Sequence, residues 1–156
     1  MEIRCAERNG QFGHEAGRQL LAQMYLDATG QTMPEILVTD RGKPYFADGK
    51  LHFSISHTPC RVFCALSEKN IGIDAEEKDR DIDLRLADKI LSARERQQYD
   101  AAADKRLALL RFWVLKEAAA KFSGQGLQGY PNKTEFSLDD PRVTEMNHCL
   151  VAVMEG

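Results

Sequence analysis

The most constraining feature of the chain is a change of period: short alternating segments fill its first half, and after Glu76 the apolar residues recur at helical spacing. Leu51-His52-Phe53-Ser54-Ile55-Ser56 alternates apolar and polar, the pattern of a half-buried strand. Arg61 to Leu66 reads as its partner, with Thr58-Pro59 in the turn between them, and a third strand runs from Asn70 to about Glu76. Helices are expected from Leu84 to Leu91, then from Ser92, with Glu95 three residues on completing a capping box, and finally from Asp104 to Phe122. Nearer the start, Glu15 to Ala28 has helical spacing, Glu35-Ile36-Leu37-Val38 reads as a short strand, and Asp40-Arg41-Gly42-Lys43-Pro44 as a turn. Strands at Thr134 to Leu138 and His148 to Met154, joined by a turn around Asp139-Asp140-Pro141, close the chain. Antiparallel strands with segregated helices define an α+β fold. Each half reads as a strand, helical material and a strand pair. The expectation is one domain over residues 1–156, built of two pseudo-repeated halves, about 1–69 and 70–156.

At 156 residues a chain buries roughly 70% of its unfolded surface, so no disulfide or metal staple is needed to fold it. The four cysteines, Cys5, Cys60, Cys64 and Cys149, form no C-x-x-C pair, and His52 and His57 complete no zinc pattern with them; buried free thiols are expected. Lys and Arg number 21 against 24 Asp and Glu, which gives no support to nucleic-acid binding. The charged start lacks a signal peptide's apolar stretch, and Leu107 to Leu115 is too short to span a bilayer. No membrane partner and a cytoplasmic location are therefore expected.

Three segments carry candidate chemistry. In Ile71-Gly72-Ile73-Asp74-Ala75-Glu76, strand alternation projects Asp74 and Glu76 together and turns Ile71, Ile73 and Ala75 to the core. Two adjacent carboxylates repel unless a cation or proton lies between them, so the pair reads either as a magnesium site or as an acidic edge facing solvent. Gly72 leaves room for another backbone to approach. On the long helix Trp113, Glu117 and Lys121 fall four residues apart on one face. A Glu four residues before a Lys is also an ordinary surface pair, but Trp113 on the same stripe points to a packed face. The third segment, Phe53-Ser54-Ile55-Ser56-His57, ends a strand with donors suited to a phosphate or amide, or to simple capping; Gly42-Lys43-Pro44 adds a lysine on a tight turn.

In this order and spacing the chain resembles the 4'-phosphopantetheinyl transferase superfamily. The resemblance lies in Gly42-Lys43-Pro44, Phe53-Ser54-Ile55-Ser56-His57, Gly72-Ile73-Asp74-Ala75-Glu76 and Trp113-Val114-Leu115-Lys116-Glu117-Ala118-Ala119-Ala120-Lys121, followed by Gly124-Gln125-Gly126-Leu127, and covers about Arg18 to Leu138. The first two motifs resemble the larger, two-half type that activates synthetase carrier proteins. That type carries a longer basic N-terminal stretch; here about seventeen residues precede Arg18, with Arg4 and Arg8 in its place.

The resemblance implies Mg²⁺-dependent transfer of 4'-phosphopantetheine from coenzyme A to a serine of an acyl or peptidyl carrier protein, releasing 3',5'-ADP. It implies Asp74, Glu76 and Glu117 as metal ligands, Glu117 as general base, and Lys121 as the residue holding the pyrophosphate. It places Lys43, Ser56, His57 and Arg18 at the nucleotide end of coenzyme A, with Glu95, Trp113 and Lys116 in support. Arg85, Lys89, Arg94 and Arg96 offer either a patch for an acidic carrier helix or a solvated face. The rival reading is a catalytically silent module that binds coenzyme A or a carrier protein.

Overall fold

A computed structural model describes residues 1–126 and 134–156. Three strands build the first sheet in the order β1-β5-β4: β1 (Glu2–Glu7), β4 (His52–His57) and β5 (Arg61–Ser67), all antiparallel. Three more build a second sheet in the order β6-β8-β7: β6 (Ile71–Glu77), β7 (Val143–Met146) and β8 (Cys149–Glu155). In both, the strand latest in sequence lies in the middle. A small hairpin pairs β2 (Ile36–Val38) with β3 (Pro44–Phe46), and four α-helices among the described residues complete the α+β architecture: α1 (Gly13–Thr29), α2 (Ala87–Ile90), α3 (Ala93–Ala101) and α4 (Lys105–Ser123).

The two sheets meet along edges β4 and β6 without a backbone ladder between them. Instead Ser54 Oγ accepts from the Ile73 N–H at 3.0 Å and Ser56 Oγ from the Ala75 N–H at 3.1 Å. Two hydroxyls thus satisfy buried edge donors that would otherwise be costly to leave unpaired. Phe63, Ala65, Ile71, Ile73, Ala75 and Val151 form the shared core across this seam. The expected inward face of β6 is borne out, with Ile71 and Ile73 fully buried.

Helix α1 covers the first sheet and α4 the second, and glycines set both distances. A Cβ on Gly17 would come 2.7 Å from Ile55 Cγ2, and one on Gly13 would come 2.5 Å from His57 Cγ. At Gly72 on β6 it would meet the Ala118 carbonyl oxygen at 2.3 Å and the Phe122 nitrogen at 2.4 Å, so α4 lies with its backbone against the strand.

Several expectations are corrected. Glu2–Glu7 forms β1, although its charged positions concealed it; β5 covers its edge. Leu84 to Leu91 is a 3₁₀ turn, Leu84–Leu86, followed by the short α2. Residues 134–138 are not a strand. Side chains from the helices engage their backbone: the Phe136 N–H donates to Glu95 Oε2, the Leu138 N–H to Gln98 Oε1, and Lys116 Nζ to the Thr134 carbonyl. The final hairpin is β7–β8, turned by Asn147 and His148 at positive φ, 49° and 62°. The capping box is present as expected: Ser92 Oγ accepts from the Glu95 N–H, and Glu95 Oε1 from the Ser92 N–H.

Candidate active site

Where α4 crosses β6, alternation on the strand and four-residue spacing on the helix bring two sets of side chains face to face. Lys121 Nζ donates to Asp74 Oδ1 at 2.8 Å and lies 3.3 Å from the Ile55 carbonyl oxygen. Ser56 donates to the same Asp74 oxygen at 3.1 Å, while Asp74 Oδ2 is buried with no partner. Further along β6, Glu76 Oε1 accepts from the Trp113 indole N–H at 3.1 Å and from Arg80 Nη1 at 2.5 Å. Arg80 also lies over the Trp113 ring, 5.8 Å from its centroid. Asp74, Glu76, Arg80, Trp113, Glu117, Lys121, Ser56 and His57 line one cleft of about 410 Å³. A second cleft, of about 290 Å³, is lined by Arg41, Gly42, Lys43, Pro44, Phe53 and Ser54, and again by Ile55, Glu117 and Lys121. Glu117 and Lys121 therefore stand where the two clefts meet.

The electrostatics follow from this crowding. Burial, then the charge of Asp74, pushes the Glu117 carboxyl up to about 7, against the opposing pull of Lys121. Burial likewise raises Asp74, with Lys121 opposing it, and raises Glu76, with Arg80 opposing it. His57 is pulled below the ordinary histidine value, first by partial burial and then by Arg8, Lys121 and His14.

The other expected site residues are distributed around this centre. Lys43 Nζ reaches across to α4, donating to Asn70 Oδ1 at 2.7 Å and to the Phe122 carbonyl at 2.8 Å; burial lowers its pKa. The Ser56 hydroxyl is engaged by Asp74 and the Ala75 N–H. Arg18 is half-buried on α1 and lines neither cleft. Glu95 and Lys116 form an ion pair of 2.8 Å with side chains 0% and 1% exposed, locking α3 to α4 away from the clefts. Of the Gly124-Gln125-Gly126-Leu127 motif, Leu127 falls outside the described residues. In the basic helical cluster, Arg85 is paired with Asp83, and Arg96 with Asp88 and Asp100.

Arg80 was not singled out by the sequence. It lies in the charged run after β6, where a turn rather than a regular period brings it to Glu76. Among the described residues no group of three His, Cys, Asp or Glu side chains is placed to hold a metal ion, and no helix is long and apolar enough to cross a membrane.

Fold and site together describe an α+β protein whose acidic strand and lysine-bearing helix meet at the joint of two clefts. A sequence model of the 4'-phosphopantetheinyl transferase superfamily matches residues 70–150, more than half of the 156 residues. The chain belongs to this superfamily. It is similar to the 4'-phosphopantetheinyl transferase gsp of Aneurinibacillus migulanus, 34% identical over 55% of this chain and 36% of the relative. It is also similar to psf-1 of Bacillus pumilus (29% identical; 81% of this chain, 58% of the relative) and AcpT of Escherichia coli K12 (32%; 72% and 60%), both named 4'-phosphopantetheinyl transferases. The chain thus spans between about a third and three-fifths of these relatives.

Proposed function

We propose that this chain transfers the 4'-phosphopantetheine group of coenzyme A to a serine of an acyl or peptidyl carrier protein, with Mg²⁺, releasing 3',5'-ADP. The observation that carries the reading is the placing of Glu117, a carboxyl pushed up to about 7, one helical turn from Lys121 at the joint of two clefts. The names of the relatives support the same reaction. We read the matching strand orders of the two sheets as pseudo-repeated halves, about residues 1–69 and 70–156, of one domain.

Asp74, Glu76 and Glu117 are not drawn together as a ready three-ligand group, but they line one cleft with oxygen donors only, and the unpartnered Asp74 Oδ2 suits a hard cation that would complete its shell with substrate oxygens and water. Bound there, Mg²⁺ supplies charge neutralisation for the pyrophosphate. The carrier serine Oγ attacks the β-phosphorus, its proton passes to Glu117 directly or through a water, and the bond to the bridging oxygen breaks with its electron pair leaving on 3',5'-ADP. Lys121 offsets the charge that develops on this leaving group. His57 and Ser56, in the same cleft as Lys121, and Lys43, in the second, are suited to the nucleotide end, with Arg18 on α1 outside both clefts.

Mass spectrometry of an apo carrier protein incubated with coenzyme A, Mg²⁺ and this chain tests the reading. A mass gain of one phosphopantetheine group is expected. Binding of coenzyme A or carrier without that gain would instead establish the rival reading, a silent binding module.

A further inference from the structure

Asp74 and Glu76 on β6 are each gripped by one oxygen only. Asp74 Oδ1 takes both Ser56 and Lys121, leaving Oδ2 without a partner. Glu76 Oε1 takes both Arg80 and Trp113, and Oε2 makes no hydrogen bond among the described residues. We infer that Arg80 is a positioning residue: with Trp113 it clamps Oε1 of Glu76 so that Oε2 is left free, in the cleft that Asp74 also lines, for a divalent cation. This rests on the reading of Asp74, Glu76 and Glu117 as a magnesium site.

The clamp is built from both ends of the crossing. Arg80 follows the end of β6 in a turn closed by its own N–H on the Glu77 carbonyl at 2.9 Å. Arg106, in the first turn of α4, donates to the carbonyls of Lys78 and Arg80, each at 2.9 Å, and so fixes the turn that aims the guanidinium. Trp113 stands two helical turns further along α4, where its ring supports the guanidinium and its N–H reaches Glu76. A planar guanidinium is suited to stacking on an indole while donating in its own plane, which an ammonium cannot do. Half-exposed ion pairs contribute little to stability, and Arg80 and Glu76 are 38% and 19% exposed. The anchored turn and the placing of the guanidinium over the Trp113 ring therefore point to orientation of Glu76. A freely rotating glutamate must lose its rotamer freedom when a cation arrives; here that loss is already met in the fold.

The test uses Mn²⁺ alone as probe, with free Mn²⁺ counted by electron paramagnetic resonance on the metal-free protein. Wild type should bind, E76Q should bind much more weakly, and R80Q should lose about 10-fold or more in affinity, the usual effect of removing a ligand's orienting partner. R80K should fall between, since it keeps the charge without the planar fork. Trp113 is the single tryptophan, so its emission should also shift in metal-free R80Q as the clamp opens. Thermal melting checks that the variants are folded, and R80K carries the same comparison should R80Q not fold. Affinity decides the matter. Unchanged or tighter binding in R80Q, with E76Q impaired, overturns the role of Arg80 while the metal site stands. Wild type that fails to bind, or E76Q that binds as well as wild type, overturns the metal site and this inference with it.

Discussion

Lys121 holds Asp74 by a single oxygen: Nζ lies 2.8 Å from Oδ1, and Oδ2 stays buried and unpartnered. A buried polar atom left without a bond is a cost that a fold keeps only where something else uses it. Because burial raises the Asp74 carboxyl, the folded state favours its protonated form. The stability it contributes is present below the ordinary carboxylate range and is lost as pH rises through the raised value. Asp74→Asn imitates the protonated form. The variant should melt no lower than wild type at neutral pH and transfer no phosphopantetheine to an apo carrier, read by calorimetry and mass spectrometry. Full transfer by the variant would remove Asp74 from the chemistry.

Glu117 separates the base from an ordinary helical pair. Glu117→Gln keeps size and one carbonyl oxygen but accepts no proton at neutral pH, so single-turnover transfer should fall roughly 10²–10⁴-fold. The same residue should leave a mark on stability in metal-free buffer. Its folded pKa is raised, from the ordinary glutamate value to about 7, so wild type should lose stability as pH rises between those two values. Glu117→Gln should flatten that part of the profile. Denaturant melts across the window, with chelator present, read this directly. Unchanged turnover would reduce Glu117 to a surface partner of Lys121, where the substitution costs at most about 0.5 kcal/mol.

The Glu95–Lys116 pair should behave differently, because it is wholly buried and lies outside the clefts. Lys116→Met leaves the buried Glu95 carboxyl without its cationic partner, beside Ser92 and Phe136, and should cost about 3–5 kcal/mol in urea unfolding. Adding Glu95→Gln should return much of that loss. At temperatures where the single variant stays folded, its KM for coenzyme A should match wild type; a raised KM with unchanged stability would contradict a role in fixing α3 on α4.

The residues that announced themselves were those whose local period matches their final place. Asp74 and Glu76 share a face because a strand alternates, and Trp113, Glu117 and Lys121 share one because a helix turns every 3.6 residues. What stayed hidden depends on partners far along the chain. Strand β1 has Glu2, Arg4 and Glu7 among its few apolar residues and becomes a strand by lying along β5. Residues 134–138 have strand-like composition, yet Glu95, Gln98 and Lys116 take up their backbone groups first. Ser56 reads as a ligand donor, and its hydroxyl, like that of Ser54, joins two sheet edges. Glu95 and Lys116 were both picked out, but not as partners of one another. Arg80 carried no periodic signal, since a turn rather than a helix or strand delivers it to Glu76.

Gly72 sets the distance on which the whole crossing depends. A methyl group there would lie 2.3 Å from the Ala118 carbonyl oxygen and 2.4 Å from the Phe122 nitrogen. Both are helix backbone, so no rotamer change relieves the clash and α4 must move off β6. Overpacking of this kind typically costs about 1–3 kcal/mol. The displacement also separates Lys121 from Asp74 and Trp113 from Glu76, contacts of 2.8 and 3.1 Å that leave no slack. Gly72→Ala should therefore lower the melting temperature, shift the emission of Trp113, and reduce kcat for transfer by more than its stability loss explains, since misplacement near 1 Å costs on the order of 10²-fold in rate. Steady-state kinetics well below the melting transition, alongside emission spectra, make the comparison. A variant that melts early but turns over normally when folded would show that the spacing of α4 and β6 matters to the fold and not to the site.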